Sequence, residues 1–507
     1  MLPFLNAEKE NSKKYVVNFQ GINLGEGYTE GEFSNTENVS CALAPSLSQR
    51  FGRELEAEFE APTALHVKDG LLVIDGTTVK YNGKNVGTVD TRRKQLATIG
   101  NYVVIFPDKK YYNVASGEFG SMEEHFTAAA GKAVFAEKTL TVAGAGFRFR
   151  VGDEVEISGC TKFPENNKSI VIRGVDGDVL TFDGKSFTAG TETGSVSIKR
   201  EVPELDYICE SNYRLWGTKG NVIYGSKYMD PFNFYFYDNL ASDSYAIDVA
   251  TDGEFTGCIP YSSHICFFKE NQLHKLYGSK PSNFQLVTSQ IYGVQAGSER
   301  SMCIINETLL YKGANGIYAY SGGVPELISA KFGLNRYSDA CATSDGERYY
   351  ISMRQGDKWH LMVYDVLRGI WLREDGCECV DMGFHEGHVY LLRANGQLLR
   401  VDSELPVDDV EWSATFCPFN ETINERKGYS KFHLRLELGA KSWLTLEVKR
   451  DYDTVWQKVY STHNERARTV TVPILPARCD SVEIRLRGKG ECRVRSFVRE
   501  FFVGSDV

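Results

Sequence analysis

The apolar residues of this chain gather in short runs separated by polar turns. Residues 71–89, LLVIDGTTVKYNGKNVGTV, give the unit: an apolar strand, a turn at Asp75-Gly76, a short strand with Tyr81, and a turn at Asn82-Gly83. Asx-Gly between strands is a strong hairpin signal, because both residues accept the positive φ of a tight turn. Looser copies follow near 102 (YVVIFPDKKYYNVASGEFG), 265 (ICFFKENQLHKLYGSKPSNF), 309 (LLYKGANGIYAYSGGVPELIS) and 389 (VYLLRANGQLLRVDSE). Less regular ones begin at 214 (RLWGTKGNVIYG) and 349 (YYISMRQGDKWHLMVYD). Most of the intervals between starts are 31 to 50 residues. A period near 40 to 45 with about four short strands per unit predicts a β-propeller of six or seven blades. The repeated phrase reads as the inner half of each blade. One blade cannot bury both of its faces alone, so the repeat speaks for fold and not for chemistry.

One interval, from 102 to 215, is too long for a blade. Within it, residues 147–200 (FRFRVGDEVEISGC, KSIVIRGVDGDVLTFDG, GSVSIKR) alternate as strands with turns at Gly152-Asp153 and Asp176-Gly177. They predict a small inserted β-barrel or sandwich, preceded by the Ala/Gly-rich stretch FTAAAGKAVFAEK. After about 403 the phrase stops. KFHLRLEL, SWLTLEVKRDYD, TVTVPIL, SVEIRLRG and CRVRSFVREFFVG are longer alternations that predict a C-terminal β-sandwich. The expected organisation is an extended N-terminal segment over 1–60, first blades over 61–124, the insert over 125–202, remaining blades over 203–403 and the sandwich over 404–507. No long stretch holds helical periodicity, so the class is all-β.

Composition refines this picture. The 507 residues contain 47 Gly, 14 Pro, 27 Tyr and 29 Phe, a mix that suits strands and tight turns. The formal net charge of −10 argues against a protein built to grip nucleic acid along a basic face, though not against nucleic acid sliding past. No apolar run approaches the roughly 20 residues of a membrane helix. The opening MLPFLNAEKENSKK lacks the order of a signal peptide. Twelve cysteines, at 41, 160, 209, 258, 266, 303, 341, 377, 379, 417, 479 and 492, are scattered, and several lie inside strand-like runs. The pattern predicts buried free thiols in a chain that folds in a reducing cytoplasm.

Candidate chemistry is sparse. CECVDMGFHEGH offers Cys377, Cys379, His385 and His388 as weak zinc candidates. The spacing fits a strand and a hairpin turn at Glu386-Gly387 better, so no metal and no cofactor is expected. His-Glu-Gly-His is too short for the helical metalloprotease motif, and Gly-Ala-Gly at 144–146 lacks a dinucleotide loop's third glycine. Asp230, Asp243, Asp252 and Asp365 lie near strand ends, where a propeller glycosidase would place paired carboxylates. Turn capping is the ordinary reading of each. The run PFNFYFYD (231–238) fills a blade or an interface, or stacks on sugars.

The layout of blades, insert and sandwich resembles the tail hub or nozzle proteins of short-tailed bacteriophages, also called stabilisation or tail tubular B proteins. The resemblance rests on FQGINLGEGYTEGEFSNTENVS, PELDYICESNYRLWG (203–217), GEFTGCIPYSSHICFFKENQLHKLYGSKPSNF (253–284) and ARCDSVEIRLRGKGECRVRSFVREFFVGSDV (477–507). No catalytic motif anchors it. It implies a structural, non-enzymatic virion protein of the tail, assembled in the host cytoplasm. Its partners would be its own copies in a ring, usually a hexamer, together with portal and adaptor rings and tail fibres or spikes. Genomic DNA would pass through the lumen without specific binding, and an acidic wall would suit that passage. Two other classes compete. One is a propeller glycoside hydrolase or lyase, which needs two carboxylates and an Arg at the channel mouth. The other is a carbohydrate- or receptor-binding protein with Trp216, Trp359 and Trp371 lining a groove.

Overall fold

The computed structural model describes residues 12–503 except 41, 452, 464–467 and 476. Residues 1–11, which carry most of the N-terminal signal reading, and Cys41 lie outside the described residues. The described residues contain 49 strands and no α-helix, and seven four-stranded antiparallel sheets form the blades of a β-propeller. Two compact units divide the chain: Glu60–Glu299, and Met1–Phe59 with Arg300–Val507.

Blade 1 opens the first unit with strands Pro62–Val67, Leu71–Asp75, Thr78–Tyr81 and Lys84–Thr88. Blade 2 spans 95–121, blade 3 spans 207–248 and blade 4 spans 255–290. The second unit holds blade 5 (303–327), blade 6 (338–375) and blade 7. Blade 7 combines Cys379–His385, His388–Arg393 and Gln397–Asp402 with Gly52–Glu58 from the N-terminal region.

The repeated phrase marks the second and third strands of each blade, not its inner half. Every start falls on a second strand: Leu71–Asp75, Tyr102–Phe106, Arg214–Lys219, His264–Lys269, Thr308–Gly313, Arg348–Gln355 and His388–Arg393. These strands are nearly continuous apolar runs because both of their faces are covered. Successive side chains point to opposite faces. In blade 2, Val103 and Ile105 pack with Leu72, Ile74 and Val79 of blade 1. Val104 and Phe106 pack the other way, with Ile208 and Leu215 of blade 3. In blade 6, Tyr349 and Ile351 join blade 5's Leu310 and Ile317, while Tyr350 joins blade 7's Leu391.

The turns follow the local sequence. Asn82 and Gly83 both take positive φ (47° and 77°), as the hairpin reading requires. The preceding turn is shifted by one residue to Gly76-Thr77, with Gly76 at φ 60°. Asp75 stays in its strand opposite Thr78, where its carboxylate accepts from Lys80 at 2.8 Å and from the Ala61 amide at 2.7 Å.

The insert is a domain of two sheets. Its first strand, Glu124–Ala128, pairs with its last, Val196–Arg200, in a four-stranded sheet with Glu154–Ser158 and Lys168–Val171. The Ala/Gly-rich stretch belongs to the domain. It supplies Val134–Phe135 to a five-stranded second sheet, and Phe135, Leu140, Val155, Leu180 and Ile198 fill the space between the sheets.

Apart from the blade 7 strand Gly52–Glu58, the described part of the N-terminal segment runs as short strands along the C-terminal sandwich. Ser12–Val16, Val39–Ser40 and Leu47–Gln49 join one sheet of the C-terminal sandwich, and Phe33–Glu37 joins the other. The long strands Lys427–Leu438 and Cys492–Val503 form the first sheet's centre, with Phe432, Leu434, Leu436 and Phe497 pointing into the core. Beside that core the Arg499 guanidinium, fully buried, pairs with Glu421 at 2.7 and 3.0 Å and lies 3.7 Å from the Phe419 ring centroid. The Tyr429 hydroxyl also donates to Glu421, at 3.1 Å. Removing one member of a buried pair leaves the other charge uncompensated, at a cost of about 3–5 kcal/mol. Arg499 keeps a second contact, to Glu30 at 3.2 Å, so Glu421→Ala is expected to destabilise the sandwich by the lower end of that range, about 3 kcal/mol. Urea denaturation, with hydrogen exchange of Lys427–Leu438 reporting the sandwich, measures it, and a loss below about 1 kcal/mol contradicts the role.

Candidate functional site

The most elaborated surface in the first unit is built by blade 3 and the insert. Between strands Val222–Gly225 and Tyr245–Asp248, where a short turn would suffice, the chain makes an excursion over residues 226–244. One side chain organises it. Arg214, fully buried on the second strand, donates to the carbonyls of Ser226 (2.6 Å), Asp243 (2.6 Å) and Ala241 (2.8 Å). Carbonyls that the sheet ladder leaves free thus meet a fixed fork of donors.

The run PFNFYFYD lies in this excursion and keeps a two-residue alternation. Phe232, Phe234 and Phe236 are buried, while Tyr235 and Tyr237 face out. Phe232 packs edge-on against Tyr102 and Tyr111 at 5.3 and 5.2 Å, and the Lys227 ammonium sits 3.9 Å from the Phe236 centroid. Tyr213 (61% exposed) packs edge-on against Tyr228 and, with Met229 (69%), extends the exposed apolar area.

The insert is fastened beneath this loop by charge. Arg200 pairs with Asp153 at 2.9 Å, both buried, and also donates to the Met122 carbonyl. Asn233 of the loop donates to Asp153 at 3.2 Å and accepts from the Glu154 amide at 3.2 Å. Lys227 donates to the Gly152 carbonyl at 3.1 Å, and Arg173 pairs with Asp238 at 2.7 Å. Burial pushes the Glu154 carboxyl up to about 7 and the Tyr235 phenol up to about 12. The result is a buttressed platform that presents tyrosines outward, an arrangement suited to binding rather than to bond-breaking.

The carboxylates named from sequence do not converge. Asp230 and Asp243 shape the loop: Asp230 accepts from Asn233, and Asp243 from the Asp238 amide at 2.9 Å. Asp252 lies in the turn before blade 4, its carbonyl 3.4 Å from the Lys269 ammonium. Asp365 belongs to the second unit, paired with Arg368 at 2.6 Å beside a cleft of about 410 Å³. A cavity of about 290 Å³ at the starts of blades 2 and 3 is lined by Arg93, Asp206, Tyr207 and Glu299. There Glu299 is held by Arg93 at 2.6 Å and by Gln95 at 2.9 Å, while Asp206 is held by Lys219 at 3.0 Å. Both carboxylates are thus taken up in ion pairs with neighbouring side chains.

The weak zinc candidates separate. Cys377 and Cys379 lie together at one end of strand Cys379–His385, with sulfurs 3.5 Å apart. His385 and His388 face each other across the hairpin at its other end, about 20 Å away at roughly 3.3 Å per residue. The tryptophan groove also fails. Trp216 and Trp371 are core residues of separate units, and Trp359 is half-buried.

No protein-family model and no curated protein sequence matches the chain. Among solved structures, the computationally designed Ika8 protein is similar with a TM-score of 0.36 and 14% identity, over 69% of this chain and 99% of that one. BamB from Moraxella catarrhalis gives 0.30 and 11%, over 71% and 98%. The exo-β-1,3-galactanase of Phanerochaete chrysosporium gives 0.23 and 9%, over 58% and 94%. Likenesses this weak carry no inference about function, and the blade count rests on the seven sheets themselves.

Glu154 makes the platform pH-sensitive. Its carboxyl titrates near 4.5 when unfolded and near 7 when folded. The folded state therefore holds the proton more tightly, and this group's contribution is complete below pH 4.5 and lost as pH rises through 7. Glu154→Gln should flatten the fall in the unit's thermal midpoint between pH 5 and 8. An unchanged pH profile would contradict the burial of this carboxyl.

Proposed function

We propose that the chain is a structural subunit of the tail hub or nozzle of a short-tailed bacteriophage, forming a ring below the portal and adaptor. The observation that carries this reading is the platform of blade 3. An insert is tied to the loop of a propeller blade by Asn233 on Asp153, Lys227 on the Gly152 carbonyl and the ion pair Arg173–Asp238, and that loop turns its phenylalanines inward and its tyrosines outward. Exposed tyrosines held at low entropic cost are typical anchors of protein–protein contacts. The order of blades, insert and sandwich, and the four stretches that resemble the nozzle family, support the same reading. The ring would be a hexamer, with fibres or spikes attached to its outer surface. Genomic DNA would pass along an acidic wall without the salt-sensitive grip that Lys and Arg produce. The reading assigns the chain no catalysis and a place in the virion.

In this reading the tyrosine platform lies against a neighbouring copy. Truncating a central aromatic anchor costs about 2 kcal/mol, more than a tenfold loss of affinity. Tyr213→Ala combined with Tyr237→Ala should shift the sedimentation profile from ring to monomer while leaving the thermal midpoint in place, since both side chains are mostly exposed. Rings of unchanged stability in the double variant would remove the platform from the interface.

A further inference from the structure

We propose that Cys377 and Cys379 form a peroxide-reactive dithiol, a modification site that closes to a disulfide within the folded protein. The two sulfurs are 3.5 Å apart in the reduced protein. Cys377 lies in the connector between blades 6 and 7, outside the strand ladder, and Cys379 is the first residue of the next strand. A disulfide needs Cα atoms within about 7 Å, a span that residues two apart in sequence do not exceed, and the short sulfur separation shows that the two side chains face one another. The backbone is pinned there. The Ser352 hydroxyl donates to the Cys377 carbonyl at 2.8 Å and accepts from the Cys379 amide at 3.2 Å, and Asp375 accepts from the Cys377 amide at 2.9 Å. Gly376 and Glu378 on either side are exposed, so Cys377 sits just under the surface within reach of a small oxidant.

The electrostatics favour one nucleophile. The Cys379 thiol, and behind it the Arg53 guanidinium, draw the Cys377 thiol below its ordinary range, while Cys379 is driven well above it. Arg53 is itself fixed by Glu374 at 2.7 Å and Asp375 at 2.6 Å. Two thiols in contact, the more surface-near one drawn down beside a cation, match the arrangement of an attacking and a resolving cysteine. The chemistry balances with hydrogen peroxide or an alkyl hydroperoxide as oxidant. The Cys377 sulfur attacks the terminal peroxide oxygen, the O–O bond breaks, and the other oxygen takes up the proton given up by the Cys377 thiol and leaves as water or alcohol. The Cys379 sulfur then attacks the sulfenic acid, the S–S bond forms, and the hydroxyl leaves as water with the Cys379 proton. The closed loop is too short to add appreciable entropic stability, so the pair is a chemical site and not a staple. Cys209 and Cys258 serve as an internal comparison. They too share a hydrogen bond, but that bond, burial and the neighbouring Glu210 all drive Cys209 well up.

The test uses the full chain. The folded protein is exposed to hydrogen peroxide, alkylated and digested with trypsin. Peptide 374–393 contains Cys377 and Cys379 and no other cysteine. The expected result is loss of both alkylatable thiols from this peptide and of two hydrogens from its mass, reversed by a phosphine, while Cys209 and Cys258 still alkylate. Cys379→Ser should trap Cys377 as a sulfenic acid captured by dimedone, and unmodified protein should bind one equivalent of phenylarsine oxide at this peptide. The proposal is overturned if both thiols remain alkylatable when Cys209 and Cys258 oxidise, or if Cys377 passes to the sulfinic acid without forming the disulfide.

Discussion

The architecture follows from one constraint: a blade's second strand is apolar on both faces. Tyr102–Phe106 sends alternate side chains into two different cores, one with blade 1 and one with blade 3. Such a strand has no solvent-facing side, so an isolated blade would expose one full apolar face. Stacking satisfies both, and each added blade repeats the requirement at its far edge. The chain therefore carries its propeller as a repeat of apolar strands, and the loops between strands are left free to differ.

Blade 3 uses that freedom most. Its excursion over 226–244 would be a floppy loop without Arg214, whose donors collect carbonyls from both ends. Asp153 then links insert and loop by taking Arg200 on one oxygen and Asn233 on the other. Buried charge is costly; Arg200 and Asp153 offset it by pairing with each other, and Arg214 by donating to several backbone carbonyls. What emerges is a rigid display of tyrosines next to a carboxyl, Glu154, that changes charge near neutral pH.

Much of the fold was legible because it depends on local periodicity. The repeated phrase located every blade, since a doubly covered strand cannot hide its apolar run, and the 102–215 interval exposed the insert. The first and fourth strands did not stand out, because their length and composition vary from blade to blade. The pairing of the N-terminal segment was illegible for a related reason. Its strands are two to seven residues long, and most of their partners, such as Cys492–Val503, lie hundreds of residues away. The site was largely illegible. Alternation of Phe and Tyr in PFNFYFYD was visible, but Asp153, Arg200 and Asn233 are far apart in sequence and meet only in the folded chain. The zinc and carboxylate candidates failed because spacing along a strand does not bring its two ends together.

The most direct measurement is electron microscopy of the purified protein, alone and with a portal–adaptor complex. The account expects closed rings of about six copies, with insert and sandwich each buried against a neighbour over more than about 1,000 Å². A particle that stays monomeric in both preparations would contradict it.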